Sequence, residues 1–362
     1  MSTPELNDAT AATPVGGPAH RREPPKPVAG AWSLIRRFLM MREGSIIIVT
    51  AVLIVYFSVT VSQFFTTANF PTLLTYFTWL AIIAAGEVFL MINGEIDLSI
   101  GGVYLFAPLV FYEIVGGGIP LLPSLILTML VCMLIGFING VITAVFNVNS
   151  FITTLGTLFT LEGLTLIISH AEQLNMPGSP TTNPTTGNSV QGTFANVFGA
   201  GTYSELIWAL IVIVVMQVAL TRTRWGLHTI AVGSNRIAAA EAGIRVRVVL
   251  IRNFVVCSLF AGFVGILEAV RSSTITPDPS SSNSILLDAI AAAVIGGTLL
   301  AGGSGTVVGA LIGALFLGVL EDGLAIKGVN ANYLDFFLGL AILLAMGISV
   351  YVGRARRRSG LG

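Results

Sequence analysis

The sequence predicts an all-α membrane protein, a polytopic bundle of about ten transmembrane helices. Hydrophobic residues make up 54% of its 362 residues and charged residues only 10%, whereas charged residues are near a quarter of an ordinary soluble domain. The mean hydropathy is +0.87. Apolar runs long enough to cross a bilayer recur along the chain, and its 40 glycines suit helices that pack through small residues.

The distribution of basic residues orients these apolar runs. The predicted spans are 46–65, 71–92, 99–115, 121–146, 152–169, 204–221, 250–270, 286–301, 305–324 and 332–352. Lys and Arg cluster in residues 21–42, 222–252 and 354–358, with only Arg271 and Lys327 elsewhere. The positive-inside rule places all three clusters in the cytoplasm, and with them the N and C termini.

The segments outside the spans are assigned by composition. Residues 1–30 lack an apolar core and predict a disordered cytoplasmic arm rather than a signal peptide. Residues 31–44 mix apolar and basic residues at helical spacing, which predicts an interfacial amphipathic helix or a continuation of span one. The transmembrane domain is predicted over 45–352, followed by a basic cytoplasmic tail, 353–362.

The longest segment outside the cytoplasm is the predicted extracytoplasmic loop 170–203. Its Pro, Ser, Thr, Asn and Gly residues are typical of turns rather than helices. A loop of this length usually has a function. Docking of an extracytoplasmic partner and action as a mobile lid are the two alternatives.

Two carboxylates, Glu95 and Asp97, interrupt the hydrophobic stretch from 71 to 115. Ionisable groups at such a depth are costly and are functional candidates. Asp97 and Ser99 are suited to cap the helix that follows. The alternative is a broken helix that exposes backbone and carboxylates to a water-filled path.

A second Gly-rich interruption covers residues 296–305. Its layout resembles the first, either through a faint internal repeat relating spans 2–3 to spans 8–9 or by chance. Gly302 to Gly305 are also similar to the GxSG nucleophile motif of intramembrane serine proteases. That chemistry needs a general base beside the serine, and no span contains a histidine, so the protease interpretation is not supported.

The polar segment 222–249 is predicted to face the cytoplasm and to contain a short helix. Asn235 is the expected N-cap, and Gly243 is the expected residue that ends the helix. Such a helix would receive motion from a separate motor, while an ordinary basic loop is the alternative. No lysine lies in a Gly-Lys-Ser/Thr phosphate-binding loop, so any ATP must be used by another chain. The coupling candidates are Asn235, Arg236, Ala238, Ala239, Glu241 and Gly243.

Four stretches carry a resemblance to a known family. Residues 94–101 are similar to the family's GGIDLSVG, residues 151–157 to FIATLGT, residues 223–244 to RTRFG followed by A-x-G-x-N-x-x-AA-x-x-x-GI, and residues 287–306 to LDAIAAxxxGGTxxxGGxGS. In this order and spacing they resemble the ribose/xylose/galactose-type permeases of ABC importers, within the branched-chain amino acid and monosaccharide permease superfamily. The resemblance covers residues 70–350.

The resemblance implies a permease dimer in the bacterial inner membrane, with a second permease copy that is identical or different. Its expected partners are ABC ATPase subunits, a periplasmic or lipid-anchored sugar-binding protein and membrane lipid, without nucleic acid. No catalytic residue, cofactor or metal is expected in this chain. The helix 236–243 would then be the coupling helix seated on the ATPase.

These observations predict import of a neutral sugar or similar small polar solute by alternating access. Residues 43–221 contain no Lys or Arg, so a charged anion would lack a partner along six spans. An ion-coupled secondary transporter or a channel is the rival class, because intramembrane carboxylates often bind coupling ions. The candidates for lining or shaping the path are Asn93, Glu95, Asp97, Ser99, Thr154, Thr157 and Asp288.

Overall fold

The computed structural model describes residues 44–179, 189–330, 333, 334, 336–344 and 347. The predicted arm, the predicted interfacial helix up to residue 43 and the predicted tail lie outside these residues. The elements are α1 (Gly44–Thr60), α2 (Phe70–Ile92), α3 (Ser99–Gly116), α4 (Leu121–Ala144), α5 (Ser150–Ile168), β1 (Leu174–Asn175), α6 (Ser189–Val197), α7 (Ser204–Arg222), α8 (Arg224–Ser234), α9 (Arg236–Glu241), α10 (Val246–Ser272), β2 (Thr274–Ile275), α11 (Pro279–Ile295) and α12 (Val307–Ile326). Residues 336–344 are helical as well.

The chain is a polytopic helical membrane protein. In the described part of the chain, seven helices are long and apolar enough to cross a membrane, namely α2, α3, α4, α5, α7, α10 and α12. The apolar helices α1 and α11 are shorter, at 17 residues each. Every predicted span overlaps one described helical segment, in the same order along the chain. This agreement arises because the width of the hydrocarbon core sets the length of an apolar run.

The eighth predicted span, 286–301, is displaced from the observed helix α11. The helix begins earlier because Asp278 caps it, accepting the backbone N–H of Ser280 at 3.0 Å, and Pro279 occupies the first turn. Hydrogen bonds from the Ser280 and Ser281 side chains hold the pKa of Asp278 below its usual value. Hydropathy misses this serine-rich first turn. The helix ends at Gly296 and Gly297, whereas the predicted span continues through the apolar residues Leu299 and Leu300.

The segment 170–203 is more ordered than its turn-forming composition predicts. It contains the helix α6 and the strand β1, which pairs antiparallel with β2. On α6, Phe194 is buried and stacks on Phe111 of α3 at 5.8 Å between ring centroids. The prediction of turns rather than helices is therefore wrong in this part. Burial of Phe194 stabilises a helix that composition alone does not indicate.

The helix α2 lies at the centre of the bundle, packed against α7, α10, α11 and α12. Close helix contacts depend on glycine, as between α4 and α10. A Cβ placed on Gly140 would lie 2.7 Å from the Cα of Ile251, a distance that side chains do not tolerate. Small residues thus set the spacing of these helices.

The helix ends gather at two ends of the bundle. At the turn end, defined here by residues 93–98, 223–245 and 296–306, the Gly303 N–H donates to the carbonyl of Ile92 at 2.7 Å. At the sheet end, defined by the β1–β2 pair, the Asn69 side chain donates to Asp322 at 2.8 Å. The helices α2 and α10 run from one end to the other, so the two ends are separated by the length of the bundle.

Candidate solute pathway and coupling segment

The helix α2 ends at the first Gly-rich interruption in a Schellman turn. Gly94 has a φ of +74°, and the Glu95 N–H donates to the carbonyl of Leu90 at 3.0 Å. The helix α11 ends in the same motif, with Gly297 at φ +93° and the Thr298 N–H bonded to Ala293 at 3.0 Å. The similar layout of the two interruptions therefore extends to the backbone, and the two lie against each other at the turn end.

The carboxylate of Asp97 accepts the first free N–H of α3, the capping role that the sequence predicts, from one position before the N-cap residue Leu98. Its Oδ1 accepts the backbone N–H of Ser99 at 2.9 Å and the Ser99 hydroxyl at 2.5 Å. Its Oδ2 accepts the hydroxyl of Ser258 on α10 at 3.4 Å. Ser99 acts differently from the prediction, because its hydroxyl is bonded to Asp97 instead of to the helix backbone. Both side chains are fully buried.

The predicted path residues Thr154 and Thr157 belong to the same polar network. The backbone N–H of Leu98 donates to the Thr154 hydroxyl at 2.9 Å. The Thr157 hydroxyl donates to Asn139 at 2.6 Å, and Asn139 donates in turn to Ser99 at 2.9 Å. This network joins α3, α4, α5 and α10. Asn139 was not singled out by its sequence, because one amide in an apolar helix carries no pattern.

The amide of Asn93 forms a second buried connection at the turn end. It donates to the carbonyl of Thr229 on α8 at 2.7 Å and accepts from Asn253 on α10 at 2.6 Å. Asn253 also accepts the indole N–H of Trp225 at 2.8 Å. The first residue of the 93–98 turn is thereby tied to the segment 223–245.

Six of the seven predicted path residues thus lie at or near the turn end, where they contact other helices. Asp97, Ser99 and Thr154 are fully buried, and Glu95 is 8% exposed. Asp288 lies separately, half-buried on α11. The described residues form three cavities at the sheet end, and none of the seven lines any of these three.

The short helix α9 is built as the sequence predicts. Asn235 accepts the backbone N–H groups of Ile237 and Ala238, both at 3.0 Å. Gly243 has a φ of +82°, and the following N–H closes a Schellman turn onto Ala239 at 3.0 Å. The helix α8, which precedes α9, was not predicted.

The short helix α9 packs on the bundle by one face only. Ala239 is buried with Val232 and Val249. Ala238 and Glu241 are exposed, and Ile237 is 73% exposed. One face of α9 is therefore held by the bundle while the other is presented outward.

An ion pair ties α9 to the 93–98 turn. The guanidinium of Arg236 donates to the Glu95 carboxylate at 2.6 Å and to the Asn93 carbonyl at 2.8 Å. Glu95 and Arg236 were proposed for different tasks, one in the path and one in coupling. The structure brings them together.

A group of charged residues at the sheet end was missed by sequence reasoning. Arg271 on α10 makes two hydrogen bonds to Glu268, at 2.8 and 2.5 Å, and lies 3.4 Å from Glu205 on α7. Three cavities of about 250 to 260 Å³ adjoin this group. One feature of the sequence could have indicated this group. Arg271 is one of only two Lys or Arg residues that lie outside the three basic clusters.

Apolar helices of membrane-spanning length, with buried polar connections at one end and cavities lined by charged residues at the other, are typical of a polytopic membrane transport protein. More narrowly, the chain belongs to a permease family. Residues 69–346 match the family described as the permease component of the branched-chain amino acid transport system. Membership makes the chain a transport subunit, with ATPase and substrate-binding subunits as its partners.

Individual relatives are similar along most of their length. The xylose/arabinose import permease of Sulfolobus acidocaldarius is 36% identical, over 89% of this chain and 88% of its own. The ribose import permease of Escherichia coli K12 is 34% identical, over 88% and 96%. The D-allose transport system permease of the same strain is 29% identical, over 86% and 93%. No solved structure matches the chain significantly.

Proposed function

We propose that this chain is the transmembrane permease subunit of an importer that moves a neutral monosaccharide into the cell by alternating access. The observation that carries the proposal is that relatives similar over nearly their whole length are permeases for xylose, arabinose, ribose and allose. ATP would be bound and hydrolysed by separate subunits. A binding protein outside the membrane would deliver the sugar.

In this proposal ten helices span the bacterial inner membrane, with the turn end and both termini in the cytoplasm. Within the described residues, the basic cluster 222–252 lies at the turn end, as the positive-inside rule requires of a cytoplasmic surface. Arg271 and Lys327 belong to the sheet end, where each contacts a polar partner. The sheet end would then face the binding protein.

The segment of α8 and α9 would receive the motion of the ATPase. Its outward face carries Leu227, 64% exposed, and Ile237, 73% exposed, and exposed apolar groups beside polar ones are typical of docking surfaces. The cap at Asn235 and the turn at Gly243 fix the two ends of α9. A short helix held in this way transmits force as a unit.

The buried networks around Asn93 and Asp97 support a closed turn end in this conformation. The candidate path residues there bind one another, while the sheet end contains cavities. We assign the structure to a state open toward the sheet end. Transport would separate the network so that Asp97, Ser99, Thr154 and Thr157 meet the solute.

Reconstitution tests the proposed function. The chain would be assembled in proteoliposomes with an ABC ATPase and a sugar-binding protein from the same genome, in a dimer with itself or with a second permease. Labelled xylose, arabinose, ribose and allose should be tested, and at least one should accumulate when ATP is enclosed on the ATPase side. Accumulation driven by a proton or sodium gradient without ATP would contradict the proposal and favour a secondary transporter.

A further inference from the structure

We propose that the sheet end holds a monosaccharide subsite built around Arg271 and Glu268, an inference that rests on the proposed function. The cavity has a volume of about 250 Å³. It is lined by Tyr76, Trp79, Tyr104, Glu268, Arg271 and Glu321, among others. Ligand pockets occupy about 300–1,000 Å³, so this cavity lies just below that range and suits a small solute.

The charge balance of the cavity disfavours an anion. Arg271 is neutralised by two hydrogen bonds to Glu268 and by its approach to Glu205. Glu321 adds a further carboxylate to the lining. An anion would meet more negative than positive charge here, and an unpaired charge leaving water is costly. A cation at Glu268 would have to compete with the guanidinium of Arg271 and would be repelled by it.

The same groups are suited to hydroxyls. An ionised carboxylate accepts hydrogen bonds at about four lone-pair positions, and the guanidinium fork carries five N–H donors. Arg271 uses two hydrogen bonds on Glu268, so both groups keep capacity for a ligand. A sugar hydroxyl both donates and accepts, and can therefore bind each partner of the pair without breaking it.

Aromatic side chains supply the second requirement for a sugar, an apolar surface for its C–H face. Tyr76 and Trp79 come from α2 and Tyr104 from α3, and all three line the cavity. Aromatic rings that carry a polar O–H or N–H group suit a ligand with both apolar and hydrogen-bonding surfaces. The combination of rings and carboxylates distinguishes a sugar from an inorganic ion.

The position of the cavity gives the subsite a place in transport. Its walls come from α2, α3, α10, α11 and α12, and α2 and α3 continue to the 93–98 turn. A neighbouring cavity of about 250 Å³ shares Arg271 with it. Another, of about 260 Å³, shares Glu268 and Tyr104. A sugar released at the sheet end would thus reach this cavity before the buried network around Asp97.

Protection of a cysteine from labelling tests the subsite directly. Thr72 is exposed and lines two of the cavities. Thr72→Cys would be made without Cys132 and Cys257, and the permease reconstituted with its ATPase but without the binding protein. The probe is whichever of xylose, arabinose, ribose or allose the unsubstituted importer accumulates. That sugar should slow labelling of Thr72→Cys by an impermeant thiol reagent, but should not slow labelling of Asn196→Cys, at an exposed sheet-end position outside the cavities.

A charge change provides the second readout. Glu268→Gln should raise the sugar concentration for half-protection about tenfold, because hydrogen bonds to ionised groups are stronger than neutral ones. Glu172→Gln, an exposed sheet-end control, should leave it unchanged. If a sugar accumulates but slows labelling of Thr72→Cys neither with nor without Glu268→Gln, the subsite is refuted while the proposed function stands. If no sugar accumulates at all, the proposed function itself fails.

Discussion

The guanidinium of Arg236 lies 2.6 Å from the carboxylate of Glu95 and joins α9 to the turn between α2 and α3. The side chain of Arg236 is 46% exposed, while that of Glu95 is 11% exposed. One partner is therefore anchored in the bundle, and the other belongs to the surface proposed for the ATPase. Movement of α9 would pull directly on the 93–98 turn.

Breaking this ion pair should uncouple transport from hydrolysis. Glu95→Gln removes the charge and weakens the pair by about 1 kcal/mol, the upper value for a partly exposed salt bridge. We expect severalfold less sugar uptake per ATP hydrolysed, with ATPase activity retained. Uptake and phosphate release, measured in the same proteoliposomes, give the ratio.

The matched control for this pair is Glu113→Gln, at an exposed position near the sheet end. It should leave the ratio unchanged. The exchange of both partners, Glu95→Arg with Arg236→Glu, should recover part of the lost coupling. A double variant no better than either single variant would mean that the pair does not act as a unit.

Gly243→Val should also impair coupling, for a reason confined to the backbone. Gly243 has a φ of +82°, and a Cβ there would meet nothing within 4 Å, so the cost is conformational and not a clash. A left-handed residue with a side chain costs about 1–2 kcal/mol. The end of α9 should shift, and uptake should fall at normal expression in the membrane.

Gly156→Val is the control for that change, since Gly156 also faces open space but has no positive φ. Its uptake should remain near that of the unsubstituted chain. Normal uptake by Gly243→Val would count against a coupling role for α9.

Gly233→Ala should destabilise the turn end. A Cβ on Gly233 would overlap the carbonyl oxygen of Ile92, which accepts the N–H of Gly303. Overpacking of this kind costs about 1–3 kcal/mol. The detergent-solubilised variant should melt several degrees lower than Gly163→Ala, whose Cβ enters open space. Equal melting temperatures would show that α8 and α2 do not pack closely enough at Gly233 for an added methyl group to destabilise the protein.

Features set by neighbouring residues were the ones that the sequence could predict. The cap at Asn235 and the turn at Gly243 depend on a few adjacent residues, so their residue types were informative. The Asp97 cap belongs to the same class. The predicted span boundaries were also accurate wherever an apolar run coincided with a helix. They were wrong at α11, because the polar cap of that helix lies outside the apolar run.

Contacts between distant segments could not be predicted. Glu95 and Arg236 are 141 positions apart, and only helix packing brings them together. The sheet-end group of Arg271, Glu205 and Glu268 was missed for the same reason. A single sequence contains the charged residues but does not show which of them pair. The helix α6 was missed for a related reason, because its stability comes from the burial of Phe194 in the bundle.

The assignment of sides predicts opposite labelling of the two ends. Asn196→Cys at the sheet end and Ser234→Cys at the turn end are both at exposed positions. In a background without the buried Cys132 and Cys257, an impermeant reagent should label Asn196→Cys in intact cells. Ser234→Cys should react only after permeabilisation. Labelling of both from the same side would refute the ten-span arrangement.

The solute is predicted to be uncharged, and the structure adds to the argument from sequence. Residues 43–221 contain no Lys or Arg, so α2, α3, α4 and α5 offer no basic side chain to an anion. Arg271 is the cation that lines the sheet-end cavities, and its charge is already engaged by Glu268 and Glu205.

Farther along the proposed path, Asp97 would add repulsion toward any anion. An unpaired buried charge costs several kcal/mol, whereas a hydroxyl is satisfied by the carboxylates and threonines present. In proteoliposomes containing the complete importer, a neutral monosaccharide should accumulate with ATP, while its phosphate ester and the corresponding sugar acid should not. The helix N-termini at the Gly-rich interruptions are the groups that could still bind an anion. Preferential accumulation of the ester or the acid over every neutral sugar would therefore overturn the prediction and point to those backbone N–H groups.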